Sequence, residues 1–301
     1  MPATARRIAF VAPSGVLADG IAERAARFFA ARGWQVQAGE SCFAGDTRFA
    51  GPDELRLREL QGYATDRHVD VVLAARGGYG LSRLLDRLDF EPIRAAGRIV
   101  VGFSDFTAFN LAYLARAGGI SFQGPSAADF AADEPDPFTV EQFFAALGNG
   151  EHAVRFDGEG PDCELRGTLW GGNLAMVAAL AGTPYLPRVR GGILFLEDVN
   201  EPAYRVERML YQLHHAGVLR RCRAVLLGAF APVPPQPTDR GFDLTAVVAR
   251  LRSLIAAPVI AGLPFGHVPR KLTLPVGARA HLRVRGGAAT LAFAGHPTLP
   301  P

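Results

Sequence analysis

The chain has 301 residues, 49% of them hydrophobic and 20% charged, with a net charge of +3 and three cysteines. That much apolar material fills more than one core and predicts two domains, while arginines spread without a run of like charges argue against a nucleic-acid partner. No stretch approaches the ~18 uninterrupted apolar residues of a membrane span, and Cys42, Cys163 and Cys222 lie too far apart to suggest a disulfide framework or a zinc site.

The first element is "RIAFVAPSG". Paired arginines introduce it, as they would a signal peptide, but its apolar run covers only residues 8–12 before Pro13, Ser14 and Gly15 break it, so it reads as a strand and its turn. In "DGIAERAARFFAARG", Ile21, Ala25, Phe28 and Phe29 recur at helical spacing and Gly33 ends the helix. Next come a strand in "WQVQAG", a helix over 52–65, a buried strand with a glycine-rich exit in "VDVVLAARGGYG", and a short helix over 81–88. "IVVGFSDFTAFN" is a buried strand that turns abruptly into a helix over 105–117, and "ISFQGP" is one more strand. Strands alternating with helices predict a parallel sheet covered by helices. Right-handed crossovers then gather the strand exits at 13–15, 76–80 and 103–105 on one edge.

Residues 149–166 are polar, glycine-rich and without helical period, which places the domain boundary there. Beyond it stand "GTLWGGNLAMVAALAGTPYLP", the buried run "GGILFLEDVN", an amphipathic helix in "EPAYRVERMLYQLHHAG", a strand in "RAVLLGAF", the proline-rich "APVPPQPTDRG" and a helix over 243–255. The end, "PVIAGLPFGH", "KLTLPVGARAHLRV" and "AATLAFAG", alternates apolar and polar residues as the strands of a small barrel or sheet do.

A strand that ends in a polar turn opening a helix is where nucleophiles and anions sit. Of seven serines only Ser14 and Ser104 occupy such turns. Gly102 and Ser104 fit the elbow motif G-x-S-x-G, but Phe106 replaces its second glycine, and Ser104 reads equally well as the N-cap of the following helix. A serine nucleophile needs a base and a group to orient that base. His267, after "APVIAGLPFG" and beside Gly266, is the histidine best placed at a strand exit; His281 and His296 read as exposed members of alternating strands. Glu197 and Asp198 end the buried run 193–196, one expected to face the interior edge and the other solvent, and the spacing leaves open which. "ARGGYG" can present backbone N–H groups to a phosphate or an oxyanion, and Arg76 within it can pair with a substrate carboxylate. Lys271 is the one lysine among 32 basic residues.

"RGGYG", "GFSDFTA", "GGNL", "LFLED" and "GHVPRKLTLPVGA" occur in an order and spacing that resembles the LD-carboxypeptidase family of serine peptidases, over nearly the whole chain. The resemblance implies a Ser-His-Glu triad at Ser104, His267 and Glu197, choosing Glu197 over Asp198; beside it, the backbone N–H groups of Asp105, just after the nucleophile, and of Gly78 are the candidate oxyanion donors, and Arg76, from its place in the glycine-rich loop, the candidate substrate-binding residue. It implies an α/β fold: a Rossmann-like parallel-sheet N-terminal domain, residues 1–155, carrying the nucleophile, and a mixed α/β C-terminal domain with small barrel character, residues 156–301, carrying Glu197 and His267. The implied activity is hydrolysis of the L,D bond between terminal D-alanine and meso-diaminopimelate, or L-lysine, in murein tetrapeptides during peptidoglycan recycling. The resemblance also implies a cytoplasmic homodimer; no cofactor, metal, nucleic-acid or membrane partner is expected. A sister branch, the microcin C immunity peptidases, shares the triad and cleaves peptide- or aminoacyl-nucleotides; only "VPPQPTDRG" offers a loop of the kind that branch uses, and it lacks tryptophan. The non-enzyme alternative is a Rossmann-like binding protein in which Ser14 and "RGGYG" cradle a phosphate.

Overall fold

The computed structural model describes residues 5–231, 233–234 and 236–299. Residues 1–4, ahead of the paired arginines weighed as a signal peptide, Pro232 and Pro235 of the proline-rich loop, and Pro300 and Pro301 lie outside the described residues. Five parallel strands build the first sheet: β1 (Arg7–Val11), β2 (Gln35–Ala38), β3 (Val71–Ala74), β4 (Ile99–Gly102) and β5 (Ser121–Gln123). β3 and β4 are buried along their whole length, as strands covered on both faces must be, which is why they read as unbroken apolar runs. Helices α1 (Ile21–Ala30), α2 (Asp53–Thr65), α3 (Phe90–Ala96), α4 (Thr107–Ala117), α5 (Ala127–Phe130) and α6 (Pro137–Gly148) accompany it.

A second sheet has β6 (Glu151–Asp157), β7 (Cys163–Asn173), β8 (Gly192–Val199), β9 (Cys222–Ala231) and β10 (Val259–Ala261), with helices α7 (Leu174–Ala179), α8 (Ala203–His215) and α9 (Leu244–Leu254). The chain then returns to the first sheet: β11 (Leu274–Val276) pairs antiparallel with β5. β12 (Arg279–Arg285) and β13 (Ala288–Ala294) complete the second sheet, in the order β10-β9-β8-β7-β12-β13-β6. The long β7 runs parallel to β8 at one end and antiparallel to β12 at the other, so the sheet is mixed. A bridge between Glu159 and Ala261 joins its two edges, which gives the expected barrel character.

The residues between 149 and 166, expected to form a linker, contain β6 and the start of β7. β6 is an edge strand with alternating exposure, and three of its four outward positions, Glu151, Arg155 and Asp157, are charged and mimic a loop. The 155/156 division therefore falls inside a strand. Over 81–88 two 3-10 turns, Leu81–Arg83 and Leu85–Arg87, stand in place of one helix. His296, expected on an exposed strand face, is buried, with Nε2 within hydrogen-bond reach of the carbonyls of Ala146 and Asn149.

Candidate active site

The turn after β4 is where the sheet presents Ser104. This residue has φ +61°, a left-handed conformation that costs a non-glycine residue about 1–3 kcal/mol and is tolerated where surrounding structure enforces it. Phe103, not Ser104, caps the short 3-10 helix Ser104–Phe106 that leads into α4, and no serine side-chain cap bond forms. The capping role is thus excluded. The close approach expected from a second elbow glycine comes from another loop: a Cβ on Gly77 would lie 2.6 Å from the Ser104 Cβ and 2.9 Å from its Oγ. Phe106, in that glycine's place, lays its ring over Gly102.

His267 follows β10 on the segment that crosses to the first sheet. Gly266 lets that segment touch β9, since a Cβ there would meet the Ala229 carbonyl at 2.8 Å. The imidazole Nε2 lies 3.0 Å from Ser104 Oγ, and Nδ1 lies 2.7 Å from Glu197 Oε2. With Nδ1–H donating to the carboxylate, Nε2 carries a free lone pair toward the serine hydroxyl. Three groups singled out from strand exits are therefore joined in one hydrogen-bonded chain.

Glu197 is fully buried at the end of β8 and Asp198 almost so. The expectation that one of them meets solvent is corrected: the β7–β8 pairing continues to Asn173↔Glu197, and α7 closes over the strand end. Asp198 accepts hydrogen bonds from the N–H groups of Ala175 and Val199 and from Asn173 Nδ2. Burial pushes its carboxyl above the ordinary range while these donors pull it down. Asn173 also reaches Glu197 Oε1 at 3.2 Å, and its own N–H donates to Thr107 Oγ1 of α4. Sequence reasoning missed Asn173; the signal was the polar residue that ends "GGN" between an apolar strand and an apolar helix.

Asp105, proposed for its N–H, has a second task in its side chain. Its Oδ2 accepts from Ser14 Oγ at 2.6 Å and from the Leu81 N–H at 3.0 Å, and burial raises its carboxyl above the usual carboxylate range against these two donors. The Gly15 N–H donates to the Gly77 carbonyl. Buried Arg56 donates to the carbonyls of Pro13, Gly51 and Gly80. The three exits expected on one edge are thus tied together around Ser104. Ser14, spent on Asp105 and fully buried, is not available to cradle a phosphate. Gly78 has φ +111° and lies against Gly15. Arg76 is exposed and its guanidinium donates to the Val16 carbonyl. Among the described residues no group of three or more His, Cys, Asp or Glu side chains is arranged to hold a metal ion.

Residues 8–124 match the family model of the LD-carboxypeptidase N-terminal domain and residues 166–282 that of the LD-carboxypeptidase C-terminal domain. The chain is similar to the crystal structure of muramoyltetrapeptide carboxypeptidase from Oxalobacter formigenes, with 42% identity and a TM-score of 0.91 over 97% of this chain and 100% of that one. It is 31% identical over 287 residues to the murein tetrapeptide carboxypeptidase of Pseudomonas aeruginosa, covering 92% of each. The wild-type apo microcin C7 self-immunity protein MccF has the same fold, with a TM-score of 0.88 over 99% of this chain and 98% of that one at 22% identity.

Proposed function

The chain belongs to the LD-carboxypeptidase family, and from that premise we propose that it is a serine peptidase releasing terminal D-alanine from murein tetrapeptides by cleaving the L,D bond to meso-diaminopimelate or L-lysine. The observation that carries the reading is the unbroken contact from Ser104 Oγ through the His267 imidazole to buried Glu197. His267 Nε2 takes the hydroxyl proton as Ser104 attacks the amide carbonyl, and Glu197 holds the imidazole tautomer and stabilises its cation. The N–H groups of Asp105 and Gly78 receive the oxyanion; one such donor lowers a barrier of this type by about 3 kcal/mol. The imidazolium then protonates the departing D-alanine amine, and a water deprotonated by the same nitrogen releases the acyl chain and frees Ser104.

Arg76, at the rim of the glycine-rich loop, receives the terminal carboxylate, exchanging its bond to Val16 for a charge-assisted one. The nucleophile comes from the N-terminal unit and the acid and base from the C-terminal one. A cytoplasmic homodimer is the working form. Among the described residues no helix is long and apolar enough to cross a membrane.

The test follows D-alanine release from murein tetrapeptide. Ser104→Ala is expected to lose about a thousandfold or more in rate with the fold retained, because a triad acts as a unit; an undiminished rate overturns the assignment. Arg76→Ala is expected to raise KM by about tenfold, the scale of one charge-assisted hydrogen bond, and an unchanged KM removes it from the substrate site. Parallel assays with tri- and pentapeptides and an aminoacyl-adenylate mimic report which acyl donor is preferred.

A further inference from the structure

Lys271 is buried, with 4% of its surface exposed, and the chemistry above gives it no task. Its ammonium lies 2.5 Å from Asp129 Oδ1 of α5 and 4.7 Å from the centre of the Phe103 ring. That ring packs on the His267 imidazole with 4.5 Å between centroids. Asp129 is itself fixed by the N–H and hydroxyl of Ser126. The backbone around Lys271 is pinned as well: Thr139 Oγ1 of α6 donates to the Pro269 carbonyl at 2.7 Å and accepts from the Lys271 N–H at 2.8 Å.

The location of these contacts decides what they do. The segment after β10 leaves the second sheet, carries His267 across, and enters the first sheet as β11. Ser104 belongs to the first sheet, so the Ser104–His267 separation depends on how this segment docks against α5 and α6. A buried ammonium costs several kcal/mol unless paired, and such a pair adds little net stability. Its use is therefore in geometry and field. An ammonium is a compact point charge and a guanidinium a planar fork, so exchanging one for the other here changes how the segment pairs with the Asp129 carboxylate and meets the Phe103 ring.

We propose that Lys271, paired with Asp129, is a positioning residue for the L,D-carboxypeptidase reaction, clamping the His267 segment to the first sheet and setting the charge behind the Phe103 face of the imidazole. The inference rests on the Ser104–His267–Glu197 reading. His267 faces the Glu197 carboxylate from β8, the Ser104 hydroxyl from the turn after β4, and the Phe103 ring, with the Lys271–Asp129 pair against that ring. Lys271→Met leaves an unpaired carboxylate near the imidazole, which favours its cation; Asp129→Asn leaves an unpaired ammonium, which disfavours it.

The test is the pH profile of kcat/KM for D-alanine release, with Ser104→Ala as control. The acid limb is expected to move up by about one pH unit in Lys271→Met and down by a similar amount in Asp129→Asn, the size of one charge acting across the Phe103 ring at an effective dielectric constant of about 20–30. It returns to the wild-type position in the double variant Lys271→Met/Asp129→Asn. Lys271→Arg is expected to keep KM within about threefold and lose kcat by about tenfold, the signature of displaced catalytic geometry. Acid limbs that coincide in all variants, or wild-type kcat in Lys271→Arg, overturn the inference. Should Lys271→Met fail to fold, Asp129→Asn alone decides by the direction of its shift. An active Ser104→Ala would instead sink the reading of the site on which this rests.

Discussion

Ser104 is held at φ +61° with Gly77 against its Cβ, so the hydroxyl is aimed before any substrate arrives. The neighbouring pair Glu197 and Asp198 shows how little sequence distance says about role. Glu197 meets the imidazole, while Asp198 satisfies two backbone N–H groups and Asn173. Glu197→Gln is accordingly expected to lower kcat by about a thousandfold or more, since an amide no longer fixes the tautomer or stabilises the imidazolium. Asp198→Asn should instead lower the thermal midpoint and leave kcat within about tenfold. Steady-state kinetics beside thermal melts separate the two, and a kcat loss as large in Asp198→Asn as in Glu197→Gln would contradict the division. The buried run before this pair marked a strand exit and the family resemblance chose Glu197; the physical reason for the choice lies in the tertiary structure, where His267 approaches from β10 and α7 covers Asp198.

At the scale of elements, periodicity recovered the strands buried on both faces and the amphipathic α8, whose Val206, Leu210 and Leu213 share one buried face. It failed where a helix is buried broadly or a strand lies at an edge. α6, "PFTVEQFFAALG", has no clean polar stripe, and β6 shows solvent the charged Glu151, Arg155 and Asp157. His296, just beyond β13, packs its ring edge-on against Phe122 and Phe293, and its Nδ1 is buried without a partner. Burial holds its pKa below the ordinary histidine value, although the Asn149 and Ala146 carbonyls pull the other way. The unfolded chain therefore takes up this proton more readily than the folded one. The stabilising contribution is complete above the ordinary histidine range and is lost as pH falls from about 6.5 toward the folded value. Between pH 7.5 and 5 the wild-type melting temperature should fall more steeply than that of His296→Asn; parallel curves would show that this histidine does not couple folding to pH.

For the whole molecule, one apolar cluster runs from Val11, Val72 and Phe106 in and beside the first sheet to Trp170, Phe195, Leu226 and Phe265 in and around the second, and β11 stitches the downstream chain to β5. Units sharing a core and a strand should not unfold separately. Calorimetry is expected to give a single cooperative transition with matching van't Hoff and calorimetric enthalpies; two resolved transitions would show that the sheets are independent. The alternation of apolar runs and helices determined the parallel α/β sheet, and the local rule that polar residues follow buried strands picked out Ser104, His267 and the Glu197–Asp198 pair, because burial patterns and turn chemistry are written residue by residue. The meeting of those groups, the burial of both acids, the tie from Asp105 to Ser14 and the seat of Lys271 were decided only by tertiary structure. Each joins segments far apart in the chain, and such contacts depend on how whole sheets pack and cross, which no local pattern encodes.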